Sequence, residues 1–373
     1  MNQSPLNAFY RGRRVLVTGH TGFKGAWLYW WLHLLGAKVY GLSLEPDNDP
    51  NLFTCLGLQT IGSSYIGDIR DRKIVDACLS EAKPEIVFHL AAQALVRKSY
   101  ETPVETLETN VIGTANLLDS LRKSDSAKAC VVITSDKCYE NKEWDYPYRE
   151  NDPMGGVDPY SMSKGCTELV VDSFRRSYFA PLGSESQMGL GSMRAGNVIG
   201  GGDWSEDRLM TDCFEALTHG KKIELRNPKS VRPWQFVLDP LSAYLWLGLR
   251  LCQSASEFSR GWNVAPNLTE SLPVADIVSK IIEIWGQGEW LDISSGNEPH
   301  EARILRLDPT LTATKLGWRS NYSIEDALLA TVSWYKGFYS NNDFVCQEVC
   351  KKQIIDFMKQ GKLVELPWAV NHA

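Results

Sequence analysis

A tyrosine and a lysine four residues apart, Tyr160 and Lys164, stand in the run Asp158-Pro159-Tyr160-Ser161-Met162-Ser163-Lys164, whose proline can open a helix. Positions i and i+4 share a helical face, so the phenol and the ammonium can point at one spot. A cation there favours phenolate and is expected to draw the tyrosine pKa toward neutrality, where a general acid or base works best. Such pairs also arise by chance on solvated helix faces, so context has to carry the reading. Ser135-Asp136-Lys137, at the end of an apolar run, and a glycine series near the N-terminus supply that context. The chemistry they suggest together is general acid/base work beside a dinucleotide site.

These residues need elements to position them. Arg13 to Thr18 reads as a short buried strand that runs into Gly19-His20-Thr21-Gly22-Phe23-Lys24-Gly25 and then a Trp-rich apolar helix, Ala26 to Leu35. In that context Gly19 permits a sharp turn, Gly22 lets backbone approach a pyrophosphate, and Gly25 lets helix and strand pack closely. The first gap is one residue longer than in the standard fingerprint. Thr21, Phe23 and Lys24 belong to the same candidate cofactor loop, and the helix N-terminus offers its free N–H groups to the phosphates. Trp27, Trp30 and Trp31 read as core filling.

A second strand spans Lys38 to Leu44. No Lys or Arg occurs between Lys38 and Arg70, and a 2′-phosphate would need a cation there, so the pattern favours NAD over NADP. A third strand, Tyr65 to Ile69, is expected to place Asp68 at its end, able to accept from an adenine amino group, with Ile69 beside it. A helix from Asp71 to Ala82 leads to a fourth strand, Ile86 to Gln93. There Leu90 and the small Ala91 and Ala92 would let backbone lie against the cofactor, and His89 reads as a structural strand-end residue. Thr102 to Arg122 has a helical period with Asn110 inside it. Ala129 to Thr134 is a fifth strand, and Ser192 to Ala195 a sixth, after a Gly/Ser-rich loop from Ala180 to Gly191. Strands alternating with helices specify an α/β doubly wound parallel sheet, the Rossmann arrangement, which binds its ligand at the carboxyl ends of the strands. Ser135, Asp136 and Lys137 lie at that end.

Gly196 to Trp204 reads as a polar, flexible segment suited to wrapping a phosphate, or else as a plain surface loop. Arg208, Arg226 and Arg232 follow. The expected organisation is a dinucleotide-binding domain over residues 1–195 and a smaller, mainly substrate-binding domain over 196–373, with some segments returning to the first.

Composition limits the possibilities. The chain has 373 residues, 43% hydrophobic and 23% charged, with a net charge of −6, the profile of a globular protein with no basic surplus for nucleic acid. Its nine cysteines are scattered without a Cys-x-x-Cys pair, as in a cytoplasmic protein with reduced thiols. No signal peptide, membrane span or metal-ligand pattern is legible.

The glycine series, Ser135 and Tyr160-x-x-x-Lys164 together resemble the extended short-chain dehydrogenase/reductase family over nearly the whole chain. Within it, Gly19 to Gly25, Thr134 to Tyr139, Arg232-Pro233-Trp234-Gln235, Asn297 to Ala302 and Lys315-Leu316-Gly317-Trp318 are similar to the nucleotide-sugar 4,6-dehydratases that act on CDP-glucose. The resemblance implies conversion of CDP-glucose to CDP-4-keto-6-deoxyglucose and water, a step toward dideoxy sugars of bacterial surface polysaccharide. It implies NAD as the cofactor, Asn197, Arg208 and Arg232 as substrate-binding residues, and a homodimer or dimer of dimers. It further implies that Tyr160, with Lys164 and Ser135, takes the 4-hydroxyl proton and that Asp136 is the acid for the departing hydroxide. Lys137 is then either a base whose pKa burial depresses or an electrostatic partner to a base elsewhere. The dTDP-glucose dehydratases carry Asp-Glu where this chain has Asp136-Lys137, and the family's usual Gly-Gly-His-Asp-Pro-Tyr appears as Gly155-Gly156-Val157-Asp158-Pro159-Tyr160. The competing readings are a nucleotide-sugar 4-epimerase, which needs no acid/base pair after the fifth strand, a dehydratase acting on another NDP-glucose, and a non-enzymatic dinucleotide sensor, which needs neither Tyr160 nor Lys164.

Overall fold

In the computed structural model, which describes residues 4–179, 188–266, 271–294, 304–340 and 343–370, a seven-stranded parallel sheet forms the frame. Its strands are β1 (Arg14–Thr18), β2 (Lys38–Ser43), β3 (Ser63–Ile66), β4 (Ile86–His89), β5 (Ala129–Ile133), β6 (Gly189–Ala195) and a seventh, Gly261–Val264. Their spatial order is 3-2-1-4-5-6-7, with every neighbouring pair parallel. The chain reverses its direction of travel between β1 and β4. A crevice opens at that switch point, outside the strands' carboxyl ends.

Alternation along the strands shows why both faces are covered. Val15, Val17, Phe88 and Val131 point into one apolar cluster, shared with Trp27 and Trp31 of the helix Phe23–Leu34 and with the helix Leu238–Gln253. Leu16, Val87, Cys130 and Val132 point the other way, into a cluster with Leu117 and Val171. A period of two with both faces apolar needs helices above and below. The three tryptophans are buried in the core, as their sequence context suggests.

Several boundaries differ from the sequence expectation. β3 closes at Ile66, so Asp68 lies past the strand, where its carboxylate accepts from the Arg70 side chain and backbone N–H at 2.6–2.8 Å. β4 ends at His89, leaving Leu90, Ala91 and Ala92 in the following loop. β6 begins three residues early, at Gly189, because Gly189 and Gly191 pack against Leu251 and Leu247 of the helix behind it. The segment after it is not a free loop. Val198–Ile199 pairs with Gln235–Phe236, and Gly200 and Gly201 are buried against Val237 and Trp334. Asn297 to Ala302 lies outside the described residues, as does most of the expected Gly/Ser-rich loop. Beyond residue 195, the helix Leu238–Gln253 and the seventh strand both join the sheet.

Candidate active site

The turn after β1 is built by glycine. Gly19 holds φ +75°, and a Cβ there would lie 2.7 Å from the Ala91 backbone nitrogen. A Cβ on Gly25 would come within 2.0 Å of the Gly19 carbonyl, whereas one on Gly22 would meet nothing nearer than 3.6 Å. Thus Gly19 and Gly25 make the fold possible, while Gly22, exposed at the helix N-cap, faces free space. The cradle fits a dinucleotide pyrophosphate laid on the first turn of a helix. Thr21 Oγ1 is 2.7 Å from Ser43 Oγ and donates to the Leu44 carbonyl at 2.9 Å, tying the loop to the end of β2. Thr18 Oγ1 accepts from the Ala91 N–H at 3.2 Å across the crevice. His89 is a structural residue, as expected. Its ring sits between Thr18 Oγ1 at 2.7 Å and Thr114 Oγ1 at 2.9 Å, and burial, with the Lys164 charge, pushes its pKa down to about 3.

The helix Pro159–Phe174 starts where the proline and its neighbour dictate. Asp158 is the N-cap, accepting from the Ser161 N–H at 2.9 Å, and the Tyr160 N–H donates to Ser99 Oγ at 3.1 Å. Tyr160 and Lys164 are both buried on one face of this helix. Opposite them, a single helical turn, Asp136–Cys138, is capped by Ser135, whose Oγ accepts from the Lys137 N–H at 3.2 Å and donates to Asp136 Oδ1 at 2.9 Å. Ser135, Asp136, Tyr160 and Lys164 therefore meet at the carboxyl ends of β5 and β6. Arg232 lies close enough for its charge to act on Asp136, and Arg208 close enough to act on Tyr160. Arg208 is exposed and donates to the Ala94 carbonyl at 3.4 Å. Gly196 roofs Asp136, with room for a Cβ only 3.1 Å from Oδ2. Asn197 is half-buried beside it, its carbonyl accepting from the Gln235 N–H.

Electrostatics here depart from the sequence expectation in one respect. Lys164 lies over the Tyr160 ring, with Nζ 5.8 Å from the centroid. Burial pushes the phenol up to about 12, while the Ser135 hydrogen bond and the Arg208 charge pull the other way. Removing water from the phenolate outweighs the cations, so the phenol keeps its proton rather than losing it near neutrality. Burial, followed by the Lys24 charge, brings Lys164 down to about 7. Lys24, from the glycine loop, is lowered to about 8 by burial and then by Arg208. Asp136 is raised, first by burial and against the pull of Lys137. Lys137 is half-buried beside that carboxyl.

Sequence reasoning gave no role to three residues. Asn110 sits in a π-turn, Glu108–Ile112, inside its helix. Its Oδ1 accepts from the Gln93 N–H at 2.8 Å, and its Nδ2 donates to Ser163 Oγ at 2.8 Å and to the Gln93 carbonyl at 3.0 Å. That ties the loop after β4 to the tyrosine helix. Glu168 and Arg194 form a buried pair beneath the site. Glu168 was legible in principle, since it continues the i, i+4 series from Tyr160 and Lys164.

The model of the GDP-mannose 4,6 dehydratase family matches residues 16–331. The chain belongs to that family. A CDP-glucose 4,6-dehydratase of Salmonella typhimurium is 47% identical over 94% of this chain and 97% of its own length. A dTDP-glucose 4,6-dehydratase of Xanthomonas campestris is 25% identical over 86% of this chain and 92% of its own. Among solved structures, a UDP-glucose 4-epimerase of Thermotoga maritima superposes with a TM-score of 0.76 at 24% identity, covering 87% of this chain and 99% of that one. A dTDP-glucose 4,6-dehydratase of Bacillus anthracis gives 0.72 at 20% identity, covering 89% and 98%. These two show the shared fold. Among the described residues, no helix is long and apolar enough to cross a membrane, and no cluster of His, Cys, Asp or Glu could hold a metal ion.

Proposed function

We propose that the protein is a lyase that converts CDP-glucose to CDP-4-dehydro-6-deoxyglucose and water. One observation carries the reaction type: a buried carboxyl, Asp136, whose pKa burial raises, accepts a hydrogen bond from Ser135 at 2.9 Å in the same site as Tyr160 and Lys164. Oxidation at C4 alone has no use for such an acid, whereas expelling a hydroxide does. The 47% identity to a CDP-glucose 4,6-dehydratase supports cytidine as the nucleotide base. When bound on the Gly19–Gly25 cradle, NAD supplies a reversible hydride acceptor, so the net reaction is redox-neutral.

The chain's residues divide the remaining work. Tyr160, once its phenol has released its own proton to solvent, takes the proton of the 4-hydroxyl, and the Ser135 hydrogen bond with the cations of Lys164 and Arg208 stabilises the phenolate that this requires. The resulting 4-ketone acidifies C5. Asp136 gives its proton to the 6-hydroxyl, which leaves as water. Lys137, beside Asp136, either takes the C5 proton or stabilises the enolate that its loss creates. Arg232, Arg208 and Asn197 hold the nucleotide-sugar, with Gly196 leaving room for it above Asp136. This reading divides the chain into a dinucleotide-binding part over residues 1–195 and a mainly substrate-binding part over 196–373.

A cytoplasmic setting is supported by the nine free thiols. A homodimer or dimer of dimers is supported by Tyr100, Val104, Ile112 and Leu169, large apolar side chains left exposed on the helices between Val96 and Leu121 and on Pro159–Phe174. The decisive experiment incubates NAD-loaded protein with CDP-, dTDP-, UDP- and GDP-glucose and follows both water loss and C4 configuration. Formation of the 4-keto-6-deoxy product from CDP-glucose in preference to the others is expected. A C4 epimer without dehydration would overturn the assignment.

A further inference from the structure

Beneath the site lies a charged network that the reaction scheme leaves unused. Glu168 Oε2 accepts from Arg194 Nη2 and from Ser192 Oγ, both at 2.8 Å, and Oε1 accepts from Thr134 Oγ1 at 2.5 Å. Arg194 Nη1 donates to Tyr139 Oη at 2.7 Å and to the Glu150 carbonyl at 2.9 Å. Tyr139 Oη in turn donates to Asn263 Oδ1 at 2.7 Å. Both members of the ion pair are buried, at 4% and 7% side-chain exposure. Taking two full charges out of water is costly, and an apolar pair of similar volume often does as well or better, so stability alone is a poor reason to keep one.

Its connections suggest a different reason. Thr134 and Tyr139 flank Ser135, Asp136 and Lys137 on either side. Glu168 belongs to the helix that carries Tyr160 and Lys164, and Arg194 to β6. We propose that Glu168 and Arg194 are positioning residues: they clamp both ends of segment 134–139 to the Tyr160 helix and place an anion one helical turn from Lys164. The inference rests on the catalytic reading of Tyr160, Lys164, Ser135 and Asp136. Neither residue touches the reacting atoms. Their effect runs through the separation between the acid-bearing turn and the phenol, and through the charge on Lys164.

The groups facing Lys164 set the direction of that charge effect. Lys24 from the glycine loop opposes the ammonium, as burial does, whereas Glu168 and Cys138 favour it. His89 also faces Lys164 and is buried and neutral near pH 7; Tyr160 holds its proton. Burial works against the Glu168 carboxylate, but the charge and hydrogen bond of Arg194, with those from Thr134 and Ser192, hold its pKa below the usual range. Glu168 is therefore anionic throughout the working pH range, and removing it lets the Lys164 ammonium lose its proton at lower pH.

The test compares Glu168→Gln/Arg194→Met, which removes both charges together, with Glu168→Asp, which keeps the anion. Circular dichroism, thermal midpoint, and kcat and KM for CDP-glucose across pH 6–9 are measured for each. The expected result is a folded double variant with KM near the parent's, kcat lower by at least 100-fold, and an alkaline limb moved down by about one pH unit. Glu168→Asp should keep the limb in place and recover at least tenfold in kcat. A folded double variant with kcat within threefold of the parent and an unmoved limb would overturn the proposal. Should the double variant not fold, Thr134→Val and Tyr139→Phe cut the two ends of the clamp while leaving the ion pair intact. Each should lower kcat 5- to 10-fold at constant KM, and both within twofold of the parent would refute it. Parent protein inactive on CDP-glucose would instead refute the catalytic reading on which the inference rests.

Discussion

At the scale of single residues, the site is governed by dehydration of its ionisable groups. Burial raises Tyr160 and Asp136 and lowers Lys164, in each case disfavouring the charged form. Lys164 falls from 10.5 unfolded to about 7 folded. Between those values the unfolded chain binds more protons, so this group's contribution to stability rises as pH climbs from 7 toward 10, and the full penalty is present below 7. Lys164→Met should therefore be more stable than the parent by on the order of a few kcal/mol at or below pH 7, and the difference should fade toward pH 10. Denaturant titrations at pH 6.5, 8 and 10 measure this; a pH-independent difference would contradict the assignment. The same variant and Tyr160→Phe should each lose at least 100-fold in kcat while keeping their fold. Asp136→Asn should still exchange the C5 hydrogen with deuterated water while forming little product, because oxidation precedes loss of the hydroxide. Lys137→Met should abolish exchange if Lys137 serves C5, and retained exchange would locate the base elsewhere. Exchange lost in Asp136→Asn but kept in Lys137→Met would reverse the two roles.

At the scale of elements, the glycine turn separates folding from binding. Gly25→Ala forces a Cβ to within 2.0 Å of a backbone carbonyl, an overpacking that costs roughly 1–3 kcal/mol or more. It should lower both the thermal midpoint and NAD affinity. Gly22→Ala has room for its methyl, so its midpoint should stay near the parent's while NAD binding weakens at least tenfold. Calorimetric titration of cofactor-free protein distinguishes the two, and equal effects on stability would refute the division. NADP should bind much more weakly than NAD to the parent, since the chain has no cation from Val39 to Ile69 and Arg70 is held by Asp68, Glu105 and Glu108.

For the whole molecule, assembly is the open consequence. The helices that frame the site on one side leave Tyr100, Val104, Ile112 and Leu169 in contact with water. Burying such side chains against a second copy contributes roughly 25 cal/mol per Å² of apolar surface, so a two-fold interface there is favourable. Light scattering at micromolar concentration should give a dimer or a dimer of dimers, and Val104→Glu/Leu169→Glu should shift it toward monomer. A monomeric parent would contradict this.

Local rules were enough to read much of this from the chain. Strand runs alternating with helical stretches specified a doubly wound parallel sheet, the glycine spacing specified the turn after β1, and Asp158-Pro159 specified where the tyrosine helix begins. These signals are local because backbone sterics, capping and side-chain periodicity act over a few residues. The tertiary structure decided what depends on distant partners. Asp68 reads as a free carboxylate until Arg70 is seen folded onto it. Gly196 to Trp204 reads as a flexible loop until Val198–Ile199 finds Gln235–Phe236 and Trp334 closes over Gly201. The sign of the Tyr160 shift followed from how much water the fold removes from the phenol, which no spacing of Tyr160 and Lys164 records. The Glu168–Arg194 pair exists only because β6 lies beside β5 and under the tyrosine helix. Desolvation and long-range pairing are properties of the packed molecule, and here they set the electrostatics around Ser135, Asp136, Tyr160 and Lys164.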